Sequence, residues 1–119
     1  TGEIPREYCP GEYSINARGR TKLVGIGQRL IQGAWHIGGV IVVAEADRVR
    51  DILIPVYEAL QLDWDPTTVG AIADEVPGIT FEAVAQALID ELPDHRPTEL
   101  DDHTLALAER LEPEHRSPR

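Results

Sequence analysis

The sequence predicts an α+β fold in which a small mixed or antiparallel sheet with a hairpin is followed by three or four helices. Two changes along the chain support this prediction. Apolar and polar residues alternate or form short extended runs up to residue 43, as in strands. Beyond Glu45 the apolar residues recur at spacings of three and four, as in amphipathic helices.

Three strands are expected in the first half. Apolar residues alternate with polar ones over residues 12–17, and a second strand over residues 21–29 returns after the turn-like run Ala17-Arg18-Gly19-Arg20. Lys22 then lies just past the turn of a hairpin. A third extended run, residues 33–43, has apolar groups on both faces, so it needs cover on both sides. Three strands and a few small helices cannot supply that cover, which leaves one sheet face or edge open.

The first helix is expected to begin with Asp47 as its cap, and Pro55 either kinks this helix or marks its true start. Its predicted buried stripe consists of Val49, Ile52, Leu53, Val56, Tyr57 and Leu60. A short second helix is expected from Thr67 or Thr68 through Glu75, and Pro77-Gly78 ends it.

Thr80 is predicted to open a third helix, after which a proline-rich link runs from Pro93 to Pro97. The predicted buried stripe of this helix consists of Phe81, Val84, Ala85, Leu88, Ile89 and Leu92. A weak last helix is expected over residues 100–111, followed by a frayed polar end over residues 112–119.

Composition excludes several classes of protein. The 119 residues, 42% of them apolar, suffice for one modest core. The absence of a long apolar run or a signal pattern predicts a cytoplasmic chain without membrane contact. The net charge of −10 argues against a nucleic-acid partner. The single cysteine excludes an internal disulfide and a multi-cysteine metal site. Because the chain starts at Thr1 and lacks Met, we expect it to be part of a longer protein.

Charge is distributed unevenly along the chain. Residues 1–30 carry a net +2, whereas the other 89 residues carry −12. A locally positive segment in an acidic chain indicates a site for a small anion such as a carboxylate or a phosphate. For Arg18 and Arg20, the simpler interpretation is that they solubilise a turn.

Residues 21–29 concentrate the candidate chemistry. On a regular strand Lys22 shares a face with Val24, Ile26 and Gln28, while Gly25 and Gly27 lie on the opposite face. Two glycines in one strand suit the close approach of a ligand or of another backbone, although a bulge or tight sheet packing explains them equally well. Lys22 could also be an ordinary solvated lysine.

The run Lys22-Leu23-Val24-Gly25-Ile26-Gly27-Gln28-Arg29 resembles a pattern of the lipoate-protein ligase A and octanoyltransferase group of the biotin/lipoate protein ligase family. Cys9-Pro10-Gly11-Glu12-Tyr13-Ser14 precedes it and His36-Ile37-Gly38-Gly39 follows it, in matching order. The resemblance covers about residues 3–92. It implies that residues 1–92 are the downstream part of a ligase catalytic domain with a class II synthetase-like fold, and that residues 93–119 are a link, a weak helix and a tail.

The resemblance also implies an activity. Members of the family activate lipoate or octanoate with ATP, with magnesium bound through the nucleotide. They transfer the acyl group to a lysine on a lipoyl acceptor domain, either of a 2-oxoacid dehydrogenase E2 component or of the glycine cleavage H protein. Lys22 matches the essential lysine, and Gly25 the glycine that lets the backbone approach the ligand. The further candidates for substrate binding are Gly27, Gln28, His36 and Gly38. We interpret His36 as a packed strand residue rather than a general base, and expect no protein-held metal.

Cys9 supports a rival mechanism. Some relatives are octanoyltransferases that use no ATP and carry the acyl group on a cysteine shortly before the same lysine. Cys9 lies 13 residues before Lys22, across the hairpin, and a thiolate there would be a good nucleophile. The simpler interpretation is a small buried hydrophobe.

The glycine-rich lipoate-binding segment of the family is absent from these 119 residues. A second half, located upstream in the same protein, on another polypeptide or in a homo-oligomer, would have to supply it. The chain alone would then be inactive. A non-catalytic binding module or partner subunit remains the alternative, for which the missing half has no consequence.

Overall fold

The computed structural model describes residues 1–96 and 98–116, and it divides into two compact units, Thr1–Leu88 and Ile89–Arg119. The described residues form an α+β structure with one three-stranded antiparallel sheet and four α-helices, which confirms the predicted fold class. None of the helices in these residues has the length and apolar character required to cross a membrane.

The sheet consists of β1 (Ile15–Ala17), β2 (Thr21–Ile31) and β3 (Ala34–Ile41), in that order. β1 is shorter than expected and β2 is two residues longer at its end. Arg18 and Gly19 both have positive φ in the first turn, at 55° and 67°. This backbone suits a tight hairpin, so Lys22 lies just past a turn as predicted.

A β-bulge interrupts the pairing of β1 with β2. Asn16 pairs with Lys22 and Ile15 pairs with Val24, so Leu23 is an extra residue on β2. The bulge changes the alternation of side chains at this point. The predicted placement of Lys22 on the face opposite Gly25 is therefore wrong: a Cβ at Gly25 would lie 3.3 Å from Lys22 Cε.

One face of the β2–β3 hairpin is apolar and exposed. Ile26, Leu30, Trp35 and Ile37 share this face through the register of the two strands, and they are 42, 74, 73 and 58% exposed. This exposed face agrees with the uncovered sheet face predicted from the apolar residues on both sides of the third strand.

Helix α1 (Ala46–Leu60) does not begin as predicted. Its cap is Glu45, which has a left-handed backbone and no side-chain capping bond. Asp47 instead forms an ion pair of 2.6 Å with Arg50, one turn farther along the helix. Pro55 lies inside α1 rather than at its start.

One side of α1 packs against the segment that follows the helix, and this contact forms the core. Tyr57, Trp64 and Val69 are buried together, and the Tyr57 and Trp64 rings lie 4.7 Å apart. The partly buried residues around them are Tyr8, Ala46, Val49, Leu53 and Ile54. The predicted stripe was wrong at Ile52, Val56 and Leu60, which are exposed, because only one side of the helix meets this core.

The helix expected from Thr67 or Thr68 to Glu75 is split. A 3₁₀ turn, Pro66–Thr68, is capped by Asp65, whereas α2 comprises only Ile72–Glu75. The intervening residues extend along the sheet, where the Gly70 N–H donates to the Lys22 carbonyl at 3.2 Å. These contacts with distant strands replace the local hydrogen bonds that a continuous helix would have formed.

Helix α3 (Phe81–Asp90) begins where expected, because the Thr80 hydroxyl accepts a hydrogen bond from the Ala83 N–H at 3.1 Å. Its predicted buried stripe is wrong, since no residue of the helix is buried and Phe81 is 69% exposed. The helix ends before Leu92, which is also exposed.

The second unit contains α4 (Asp102–His115), capped by Asp101 through a bond of 2.7 Å from the Thr104 N–H. This helix continues past residue 111, so the frayed end predicted from residue 112 is wrong as far as His115. An ion pair between Glu112 and Arg116 at 2.6 Å joins neighbouring turns there. Pro97 of the predicted link and residues 117–119 of the predicted tail lie outside the described residues.

Candidate active site

Lys22 is buried at the start of β2, with only 1% of its surface exposed. Its ammonium group donates to the Glu7 carboxylate at 3.0 Å and to the carbonyls of Tyr8 and Cys9 at 3.0 and 2.6 Å. The Tyr8 ring centroid lies 5.0 Å from Nζ, a distance at which the ring face attracts a cation. An ammonium group has three N–H donors, so all of them are used within the protein.

Glu7 is the counter-ion of this amine and is 2% exposed. Its carboxylate also accepts hydrogen bonds from the Ser14 hydroxyl and from the backbone N–H groups of Ile4 and Gly11. Burial by itself raises the pKa of Glu7, but the bonds from Ser14, Lys22 and Ile4 outweigh it and hold the pKa below its ordinary value. Glu7 is therefore a fully bonded carboxylate.

Cys9 lies on the loop beside the amine and is exposed. Its φ is 43°, a left-handed conformation that costs energy in a residue with a Cβ. The Tyr57 hydroxyl stabilises this conformation: its oxygen accepts from the Cys9 N–H at 2.7 Å, and its O–H points to Cys9 Sγ at 3.7 Å. A core residue of α1 thereby fixes the loop on which the thiol is carried.

A cavity of 490 Å³ adjoins the buried amine. Its lining residues are Tyr8, Cys9, Lys22, Gly25, Ile26, Gly27, Gly38, Gly39 and Val40. Apart from Lys22 these residues carry no charged side chain, and four of them are glycines from the paired strands β2 and β3. The cavity is thus mostly apolar with one amine beside it.

The glycines of this lining differ in what they accommodate. A Cβ on Gly25 would lie 3.3 Å from the Lys22 side chain, and one on Gly38 would lie 2.9 Å from the His36 ring. Those two glycines make room for neighbouring side chains. A Cβ on Gly27 would meet nothing within 4 Å, so packing does not require glycine there. The open space over Gly27 is available to a ligand.

The structure brings together five of the seven predicted site residues around this cavity: Cys9, Lys22, Gly25, Gly27 and Gly38. Gln28 and His36 do not line it. Gln28 lies on the opposite face of β2, paired with Ile37, and His36 is exposed with its ring beside Gly38. The interpretation of His36 as a packed strand residue is therefore wrong, because the residue is exposed.

Four residues around the amine were not predicted as site residues from the sequence: Glu7, Ser14, Tyr8 and Tyr57. Glu7 and Ser14 are separated by seven residues in a segment without regular spacing, and Tyr57 lies 48 residues beyond Cys9. Tyr57 carried only a weak signal, as an apolar position on a helix. The contacts of these residues arise from tertiary packing, which leaves no local pattern.

The positive segment predicted to bind an anion is largely neutralised. Lys22 pairs with Glu7, Arg6 pairs with Asp63 at 2.7 Å, and Arg18 pairs with Glu75. Within the described ranges, no group of three or more histidine, cysteine, aspartate or glutamate side chains is arranged to hold a metal ion.

Comparison of the chain with protein-family models, with curated proteins and with solved structures found no match.

Proposed function

We propose that this chain supplies the lysine-bearing part of an enzyme that attaches lipoate or octanoate to a lysine of a lipoyl acceptor domain through an acyl adenylate. The observation that carries this proposal is the buried Lys22 amine beside an apolar, glycine-rich cavity of 490 Å³. An apolar lining suits an aliphatic acyl chain, and a fixed amine suits the oxygen on which negative charge develops during acyl transfer.

Binding of a ligand oxygen to Lys22 requires that one internal acceptor give way, because all three donors are in use. Glu7 is the least replaceable, since it is charged and is bonded by three other groups. Tyr8 is held by packing of its ring against Trp64, with centroids 6.4 Å apart. Cys9 is exposed, borders the cavity and has a left-handed backbone. We therefore expect the Cys9 carbonyl to be the acceptor that an acyl or phosphate oxygen replaces.

The nucleotide part of the adenylate needs groups from outside this cavity. Lys22 is the only basic residue among those lining it, and its charge is balanced by Glu7. Phosphate groups and their magnesium ion would need further donors, and a second half of a class II synthetase-like fold would provide them. The exposed apolar face of the β2–β3 hairpin supports such a half, whether it is upstream in the same protein, on another polypeptide or on a second copy.

NMR titration tests the proposal directly, because Lys22 is the only lysine in the sequence. The chain, labelled with ¹⁵N in lysine and glycine, is titrated with a non-hydrolysable octanoyl-adenylate analogue and with lipoamide. We expect the signals of Lys22, Gly25 and Gly27 to shift together, while Gly2 and Gly78, outside the cavity lining, stay unchanged. Absence of any shift at millimolar ligand, or shifts confined to other residues, would favour a non-catalytic binding or partner module.

A second candidate function is ATP-independent octanoyl transfer through Cys9. The specific observation in its favour is that Cys9 is exposed on the same cavity as Lys22, with the Tyr57 hydroxyl beside Sγ. The thiolate would attack the carbonyl of an octanoyl thioester and release the carrier as a thiolate. The acceptor lysine amine would then attack the new thioester, lose a proton to solvent and release the Cys9 thiolate.

The two candidates differ in their requirement for ATP and for the thiol. Transfer by the complete protein that persists in Cys9→Ser and stops without ATP indicates the ligase. Transfer that needs no ATP, together with an acyl adduct on Cys9 in intact-mass spectra, indicates the transferase.

A further inference from the structure

The four acceptor bonds of Glu7 suggest a role beyond charge neutralisation. One carboxylate receives the Lys22 amine, the Ser14 hydroxyl and the N–H groups of Ile4 and Gly11. Three of these donors belong to the loop before β1, and the fourth is the candidate active-site amine on β2. The carboxylate therefore connects the position of the amine to the conformation of that loop.

The same loop carries the two carbonyls that complete the bonding of the amine. Tyr8 and Cys9 directly follow Glu7 in the chain. Three consecutive residues therefore supply the acceptors around Nζ: the side chain of Glu7 and the carbonyls of Tyr8 and Cys9. Because Glu7 is held by the Ser14 hydroxyl and by the N–H groups of Ile4 and Gly11, the position of its carboxylate is set before any ligand arrives. Preorganised groups of this kind lose little free energy in adjusting to a reaction.

We propose that Glu7 is a positioning residue, which holds the Lys22 amine at the edge of the cavity, with Ser14 as its support. The inference rests on the proposed role of Lys22 in acyl binding. It assigns to Glu7 no contact with substrate. Loss of the carboxylate would leave a buried ammonium without a counter-ion, so the amine would turn away from the cavity towards solvent.

Chemical labelling of the single lysine tests the positioning role without any acyl ligand. The amine is treated with an amine-specific reagent at a fixed mildly alkaline pH, and mass spectrometry of peptides separates Lys22 from the amino terminus. We expect slow labelling in the unaltered chain and labelling about tenfold or more faster in Glu7→Gln, since a hydrogen bond to a charged group contributes about that factor. Glu12→Gln removes one exposed carboxylate from the same segment and is the matched control, with an unchanged rate.

Circular dichroism determines whether each variant is folded. If Glu7→Gln is folded and labels at the rate of the unaltered chain, the positioning role is wrong. If Glu7→Gln does not fold, Ser14→Ala decides, because it retains both charges and removes one donor to Glu7. Faster labelling of Lys22 in folded Ser14→Ala supports the proposal, and an unchanged rate overturns it.

Ligand binding gives a separate readout. If the octanoyl-adenylate analogue binds, Glu7→Gln should weaken its affinity about tenfold or more, while Glu12→Gln should not. If the analogue does not bind even the unaltered chain, the proposed acyl site is wrong. The labelling result still shows whether Glu7 holds the Lys22 amine in position. The two failures are thus distinguishable.

Discussion

The Glu7 carboxylate and the Lys22 amine form an ion pair of 3.0 Å in which the side chains are 0 and 1% exposed. A buried pair of this kind contributes little net stability compared with two well-packed apolar side chains. Removal of one partner is nevertheless costly, because the other charge stays buried without compensation. A double-mutant experiment can therefore measure the cost of leaving one of the two charges unpaired.

Lys22→Met should destabilise the fold by about 3 to 5 kcal/mol, because it leaves the Glu7 carboxylate buried and unpaired. The double variant Glu7→Gln/Lys22→Met should recover a large part of that loss. Chemical denaturation followed by circular dichroism measures both. The control is Asp63→Asn, which removes the ion pair between Asp63 and Arg6. Because the Arg6 and Asp63 side chains are 57 and 80% exposed, this change should cost less than about 1 kcal/mol. A double variant as unstable as Lys22→Met would contradict the prediction.

Acid should destabilise the first unit partly through Glu7. Hydrogen bonds and Lys22 hold the pKa of Glu7 below its ordinary value of 4.5, despite burial. The carboxylate therefore stabilises the fold above about pH 4.5, and this contribution is lost as the pH falls through the lower pKa of the folded state. Urea denaturation between about pH 3 and pH 6 should show a smaller loss of stability in Glu7→Gln than in the unaltered chain.

Some acid sensitivity should remain in that variant. The side-chain and backbone bonds from Thr67 also lower the pKa of Asp65, which is half-buried. Asp65→Asn is the comparison, and we expect it to retain most of the pH dependence of the unaltered chain. Equal pH dependence in the unaltered chain and in Glu7→Gln would show that Glu7 is not a source of the effect.

Gly27→Ala should weaken acyl binding without loss of stability. A Cβ there meets no protein atom within 4 Å, and alanine has less backbone entropy to lose on folding than glycine. The methyl group would enter the cavity, and overpacking of this kind costs about 1 to 3 kcal/mol, or about five- to more than a hundredfold in affinity. Titration calorimetry measures the affinity, and thermal unfolding measures the stability. Gln32→Ala, in the hairpin turn outside the cavity lining, is the control.

The backbone of Cys9 should influence ligand affinity separately from its thiol. Glycine adopts the observed φ of 43° without the penalty of about 1 kcal/mol that other residues incur, so Cys9→Gly should hold the carbonyl more firmly on Lys22. We expect Cys9→Gly to bind the acyl-adenylate analogue about fivefold more weakly. Cys9→Ser retains a Cβ and should bind as the unaltered chain does. Equal affinity of all three would mean that the Cys9 carbonyl is not displaced.

Local patterns predicted the elements that depend on neighbouring residues. The first hairpin follows from a turn whose two central residues adopt positive φ, and Lys22 lies beside it as expected. Thr80 caps α3 because its hydroxyl reaches an N–H three residues ahead. These interactions span a few residues, so the spacing in the chain is sufficient to specify them.

Burial was the feature that apolar spacing predicted least well. The stripe on α1 divides into a covered side, where Tyr57 is buried and Val49 and Leu53 are partly buried, and an exposed side at Ile52, Val56 and Leu60. Which side is covered depends on where the Trp64 segment packs. Likewise, contacts with the sheet hold residues 69–71 extended and split the predicted second helix.

By itself the sequence determined the α+β class, the hairpin beside Lys22 and the glycine-rich strand, because each depends on the preferences of adjacent residues. Only the tertiary structure decided that Lys22 is buried and that Glu7 is its counter-ion. It also decided, through one extra residue at Leu23, that the amine and Gly25 share a face. The reason is physical: pairing of β2 with β1 and with the preceding loop depends on contacts between separated segments, and a single-residue bulge reverses which side of a strand each residue faces.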